Sequence, residues 1–227
     1  SPWTDTGVVT DKCYQYQYLV TNGAGLTTTT VGANTVKVDL VGPTGVSLSY
    51  ATQKYSTTLG TSAALTVATG TDGANSVASA QLWRATGSLL NGACSSYSAY
   101  SSYMSVVVGA TLVNDSFATP ANLNACYQYQ LRVTDSVGNV TTVTPTQQVL
   151  VDTTRPTGGS VSYVAGNRTS PSVTVTFGQG NDLNSIPTWS MQRWRAPIDN
   201  GTGLCGATYT LDGSVSNPAP PTVVDAG

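Results

Sequence analysis

The sequence predicts an all-β chain built from repeated sandwich modules, on three observations. The first is composition. Of 227 residues, 60 are Ser or Thr, nine are Lys or Arg, eleven are Asp and none is Glu. Helices draw on Ala, Leu, Glu, Lys and Arg, whereas strands draw on Val, Thr, Tyr and Ile. An apolar share of 40%, much of it in alternation, is enough to bury a core. The second is an internal repeat. CYQYQ at 13–17 recurs at 126–130, an offset of 113 that also pairs Asp39 with Asp152, Pro43-Thr44-Gly45 with Pro156-Thr157-Gly158, and Tyr50 with Tyr163. Trp83-Arg84-Ala85 matches Trp194-Arg195-Ala196 at an offset of 111, as Cys94 matches Cys205. A fixed period is the mark of a module array. The third is a series of short alternating runs separated by Gly-, Asn- and Asp-rich turns, the spacing of a β-sandwich.

In chain order, residues 46–51 alternate Val, Leu and Tyr with Ser, and 63–68 carry Leu65 and Val67. Residues 77–84 place Ser79, Gln81 and Trp83 on one face and Ala80, Leu82 and Arg84 on the other. Residues 103–108 are rich in Val. Residues 125–134 carry Tyr127, Tyr129, Leu131 and Val133 on one face, and 140–151 give a last strand interrupted by Pro145. About seven strands result. The repeated Trp83 and Trp194 are expected in the core, with Arg84 and Arg195 turned outward. Asp residues are read as turn and cap groups, with Asp72 matching Asp182 and Asp5 matching Asp115.

The order of landmarks divides the chain into residues 42–154 as one complete module, 1–41 as the last strands of another, and 155–227 as the first part of a third. If a following copy is joined to the end, Cys126 to the next Cys13 spans 114 positions, against 113 within the chain. Residues 1–41 of one unit are therefore expected to complete residues 155–227 of the unit before. Two pictures fit: one period of a longer polypeptide, or separate subunits joined by strand complementation.

CYQYQLRVTDSVGNV resembles the penultimate strand and final hairpin of bacterial Ig-like and fibronectin type III modules. VDTTRPTGG is similar to the joints that link such modules in large surface proteins. The resemblance implies tandem immunoglobulin-like (fibronectin type III-like) β-sandwiches in a repeat array, on the cell surface or outside the cell. From their positions Cys94 is paired with Cys126, and Cys205 with a Cys13 supplied by the next unit. Four Cys without CxxC spacing fit an oxidising compartment.

The chain contains no His, which removes His-based triads, Cys–His dyads and the usual zinc sets, so no enzyme is expected. A net charge of −2 gives no basic stripe for nucleic acid, and no apolar run reaches a membrane span. Asp39 and Asp152 at the joints are candidate Ca²⁺ ligands; no other cofactor is expected. Tyr97, Tyr100 and Tyr103 are a candidate aromatic surface for glycans or a neighbouring fibre. The expected function is a structural repeat unit of an extracellular filament or giant adhesin, with copies of itself as partners. The alternative is a spacer or carbohydrate-binding accessory region of a secreted polysaccharide-degrading enzyme.

Overall fold

A computed structural model describes residues 2–55, 62–73, 75–117, 124–184, 186, 188–216 and 222–225. The predicted outer bounds of the flanking segments, Ser1 and Gly227, lie outside them. Among the described residues the secondary structure is all strand.

Four strands precede the core: β1 (Lys12–Tyr14), β2 (Gln17–Thr21), β3 (Thr27–Val31) and β4 (Val36–Val38). The central region holds β5 (Thr44–Ser49), β6 (Gln53–Tyr55), β7 (Ser62–Thr71), β8 (Val77–Leu90), β9 (Ala93–Ser95), β10 (Ser101–Val106), β11 (Leu112–Ser116), β12 (Ala125–Asp135), β13 (Val140–Val143) and β14 (Val149–Val151). After it come β15 (Ser160–Tyr163), β16 (Val173–Gly178), β17 (Ser190–Arg195), β18 (Thr210–Ser216) and β19 (Thr222–Asp225).

The central strands make a two-sheet sandwich. One sheet runs β10-β8-β12-β14-β6, with β13 also on β12 and β9 also on β8; the other runs β11-β7-β5. Alternation decides what faces inward, because successive side chains point to opposite faces of a strand. In β7, Ala63, Leu65, Val67 and Thr69 are buried; in β12, Tyr127, Tyr129, Leu131, Val133 and Asp135 are buried. The apolar residues among these meet Leu48, Tyr50, Leu82, Val106 and Phe117 in one core. Tyr50 crosses it, its ring edge-on to Tyr129 at 5.1 Å and its hydroxyl donating to the Gln147 carbonyl at 2.8 Å. The run predicted at 140–151 is two strands, since Pro145 has no N–H to give a ladder. The run predicted at 77–84 continues to Leu90, because Ala85, Gly87 and Leu89 find cover on the outer face. The short strands β6, β9 and β11 were not anticipated.

The flanking strands copy central registers. β1 pairs β4 as Lys12↔Val38, Cys13↔Lys37 and Tyr14↔Val36. β12 pairs β14 as Ala125↔Val151, Cys126↔Leu150 and Tyr127↔Val149, each partner 113 residues later. Tyr18↔Thr30 in β2–β3 matches Leu131↔Val143 in β12–β13. On the other side, Val161↔Phe177 in β15–β16 matches Leu48↔Val67 in β5–β7. Gly70 and Gly180 take the same positive φ (68° and 83°), and a Cβ on either would collide with the carbonyl of Thr44 or Thr157. The buried apolar residues nonetheless all lie between 43 and 152 among the described residues.

Candidate functional site

Three features of the central sandwich carry its chemistry: a buried ion pair, a disulfide-pinned flap and two braced joints.

Arg84 and Asp115 form the ion pair. Parity along β8 turns Arg84 inward beside Leu82, opposite Tyr129 in the adjacent strand. Its Nη1 lies 2.9 Å from Asp115 Oδ2, and the Asp115 side chain is wholly buried. Tyr129 donates its hydroxyl to Asp115 at 2.6 Å, and the Tyr103 hydroxyl donates to the other carboxylate oxygen. The guanidinium lies over the Tyr103 ring at 3.9 Å and the Tyr127 ring at 4.5 Å. Burial opposes the charge on Arg84, but the adjacent Asp115 outweighs it and raises its pKa. Burial, reinforced by Asp115, pushes the Tyr103 hydroxyl up to about 12 and that of Tyr129 further up. Charge, counter-charge and hydrogen bonds thus close on one another, the condition under which a buried ion is tolerated.

This reverses three sequence expectations. Trp83, not Arg84, faces outward: Arg132 stacks over its ring at 3.7 Å and Gln81 accepts its indole N–H at 3.1 Å. Trp194 is exposed. Asp115 is a core strand residue rather than a turn residue, and by register its counterpart is Asp225. Val173↔Asp225 matches Ala63↔Asp115, whereas Asp5 accepts the Tyr16 hydroxyl at an exposed site.

The second feature is the Cys94–Cys126 disulfide, spanning 32 residues. It ties β9 and the following segment over the outer face of β8 and β12. Leu89, Cys126 and Leu150 are buried there, with Cys94 and Tyr97 packed against them. Gly87 leaves room for the Tyr97 ring, which a Cβ at that position would meet at 2.8 Å. Tyr97 and Tyr103 therefore do not form one open aromatic face with Tyr100. Tyr97 packs on the disulfide-side cluster and Tyr103 presents one ring face to Arg84. Cys13 and Cys205 are exposed free thiols.

The third feature is bracing at the joints. At the first, Asn75 donates to Asp39 Oδ2 at 2.5 Å, and the Asn139 amide reaches the carbonyls of Asp39 and Val41. At the second, Asn124 accepts the Thr153 N–H at 2.8 Å, and Asp152 accepts the Thr154 N–H at 3.0 Å. The carboxylates of Asp39, Asp72 and Asp135 converge, with one oxygen of each within 4.8 Å of the others; Asp152 stands at the other joint. Chain donors already engage all three, through Val41 and Asn75 on Asp39, Asn75 on Asp72, and the turn on Asp135.

Asp135 Oδ1 accepts the N–H groups of Val137, Gly138 and Asn139 at 2.9, 2.7 and 2.9 Å. Burial resists its charge, but the Asn139 amide and these N–H groups hold its pKa below the usual carboxylate value. A folded-state pKa below the unfolded one contributes stability that is present above the unfolded pKa and is lost as pH falls through the folded one. Acid titration followed by circular dichroism is expected to show a loss below about pH 4, shallower in Asp135→Asn. Parallel curves would remove Asp135 from the account.

A family model described as "Bacterial Ig-like domain" matches residues 28–153, which is 126 of the 227 residues. Searches of curated proteins and of solved structures found no match. An all-β sandwich with a disulfide accords with an extracellular setting for such a module. On that match the chain belongs to the bacterial Ig-like domain family.

Proposed function

We propose that the chain is a structural repeat unit of a bacterial extracellular filament or giant surface protein, with Ig-like modules standing end to end. Residues 42–154 form one complete module, and residues 1–41 and 155–227 belong to modules shared with neighbouring units. The observation that carries this reading is where the chain enters and leaves the sandwich. It enters beside the 135–139 turn, at the C-terminal end of β12, braced by Asn139. It leaves beside Asn124, next to the N-terminal end of the same strand. An eleven-residue strand holds these points roughly 35 Å apart, so each module acts as a link with its attachments at opposite ends. Electron microscopy of assembled material is expected to show fibres with an axial repeat of roughly 70–90 Å per unit of two modules, from strand length plus turns, or less if the array zigzags. Discrete globular particles at every concentration would sink the reading.

A further inference from the structure

The flanks pose a question of cover: they copy the ladders of a sandwich but, among the described residues, bury none of its core positions. Tyr18 is 71% exposed where its counterpart Leu131 is 0% exposed, and Tyr163 is 66% exposed where its counterpart Tyr50 is 8% exposed. The two flanks are also complementary pieces. Residues 12–38 supply the equivalents of β12, β13 and β14, while residues 157–225 supply those of β5, β7, β8, β10 and β11. The match extends to an irregularity. β17–β18 breaks register between Arg193 and Trp194, at the same place where β8–β10 breaks between Leu82 and Trp83. That puts Asp212 at the position of Tyr103, and Asp212 binds Arg193 at 2.8 Å and Arg195 at 3.0 Å where Tyr103 covers Arg84.

We propose that the open face of residues 157–216 in one copy is covered by residues 12–38 of a second copy, with β17 pairing β1–β2 across the boundary and Cys205 closing a disulfide with the second copy's Cys13. This rests on the repeat-unit reading and names its joint. The central module fixes the register. Arg84↔Tyr129, Leu82↔Leu131 and Ala80↔Val133 become Arg195↔Tyr16, Arg193↔Tyr18 and Met191↔Val20. At the middle step both halves depart together from the central pattern: where the core faces Leu with Leu, the flanks face Arg193 with Tyr18. A guanidinium over a phenol ring is the contact the central module itself makes at Arg84. Arg193 would carry its ion pair with Asp212 into that layer, where an uncompensated charge would be unfavourable. The thiols match in sequence position, since Cys94 and Cys126 are bonded in the central module and Cys205 and Cys13 are their counterparts at offsets of 111 and 113, although Cys205 bridges Ile198 where Cys94 pairs Leu89. Because the two flanks leave the sandwich at opposite ends, docking is head to tail between copies, and such a contact does not close on itself unless the rotation forms a ring. The linkage is an oxidation, in which two thiols become one disulfide and give up two electrons and two protons to an external disulfide or other thiol oxidant.

The test uses the full chain in equal ¹⁴N- and ¹⁵N-labelled portions, oxidised with glutathione disulfide. Non-reducing electrophoresis is expected to give a ladder that collapses on reduction, and mass spectrometry a Cys13–Cys205 peptide carrying one light and one heavy half. Tyr18→Asp is expected to abolish the ladder and the oligomer mass in light scattering, while the Cys94–Cys126 peptide and the melting of residues 43–152 persist. A chain that stays monomeric with both thiols free, a Cys13–Cys205 peptide of uniform isotope content, or a ladder unchanged by Tyr18→Asp would each overturn the proposal. Mixed-isotope linkage without fibres would leave this joint standing and remove the filament reading. Fibres that persist in Tyr18→Asp would do the reverse.

Discussion

Asp115→Ala is expected to destabilise the central module by about 3–5 kcal/mol, the usual cost of stranding a buried charge by removing its partner. For a domain of this size that lowers Tm by roughly 12–20 °C, at about 4 °C per kcal/mol. The loss falls mainly on what remains behind: the Arg84 guanidinium and the Tyr129 hydroxyl, both set in an apolar core by β8 and β12. The triple variant Arg84→Met, Asp115→Leu, Tyr129→Phe removes both charges and the most deeply buried hydroxyl of that layer, leaving the half-buried Tyr103 hydroxyl, and is expected to recover most of the stability, as buried ion pairs replaced by well-packed apolar groups often do. Thermal and urea denaturation of the variants decide the matter. A triple variant no more stable than Asp115→Ala would show that the layer is held by its shape and not by its charge balance. Alkali gives an independent readout. The Tyr103 hydroxyl is held up at about 12, whereas an unfolded Tyr ionises near 10. The contribution is complete below about pH 10 and is lost as pH rises toward 12, more gently in Tyr103→Phe.

That layer also marks the boundary of what the sequence makes legible. The alternation of Tyr127, Tyr129, Leu131 and Val133 identifies the inward face of β12 unaided, because one face of a half-buried strand must be apolar. The same period in β8 offers two faces, one with Trp83 and one with Arg84, and hydrophobicity alone selects the tryptophan. It selects wrongly because the deciding partner, Asp115, lies 31 residues away in a five-residue strand too polar to read as one. The counterpart of Asp115 is hidden for a related reason. Length changes along the C-terminal flank move its offset from 113 at Val161 against Leu48 to 111 at Trp194 against Trp83 and 110 at Asp225 against Asp115, so the 113-residue period passes Asp225 by. The aromatic surface expected from Tyr97, Tyr100 and Tyr103 fails for a different cause. Spacing places three rings along one segment, but only the register Ser102↔Trp83, Met104↔Leu82 shows that a bulge turns Tyr103 into the core. The disulfide required no such detail, because two repeated cysteines at repeated positions already limit the pairings.

Reducing the Cys94–Cys126 bond, or replacing both residues with Ala, is expected to destabilise the module by about 3–4 kcal/mol on a chain-entropy estimate for a loop of this length. The structure adds a local consequence to that global one. The bond holds Tyr97 against Leu89 and Leu150, so without it the outer flap loosens before the core does. Amide exchange in residues 93–100 should accelerate more than exchange in β12. A mechanical consequence follows from where the bond sits between the joints. Load applied at Pro43 and Asp152 runs through the whole module, but the 32 residue steps from Cys94 to Cys126 cannot extend while the bond is intact. Single-molecule pulling of the oxidised module should therefore release roughly 110 Å less contour length than pulling of the reduced one, at about 3.4 Å per residue. Equal lengths would place the bond outside the loaded path. A shorter extension after each rupture keeps the ends of a broken module closer together and favours refolding, since the entropy of closing a loop grows with its length. In a shaft of many modules under intermittent tension, that makes the bond a limit on stretch as well as a source of stability.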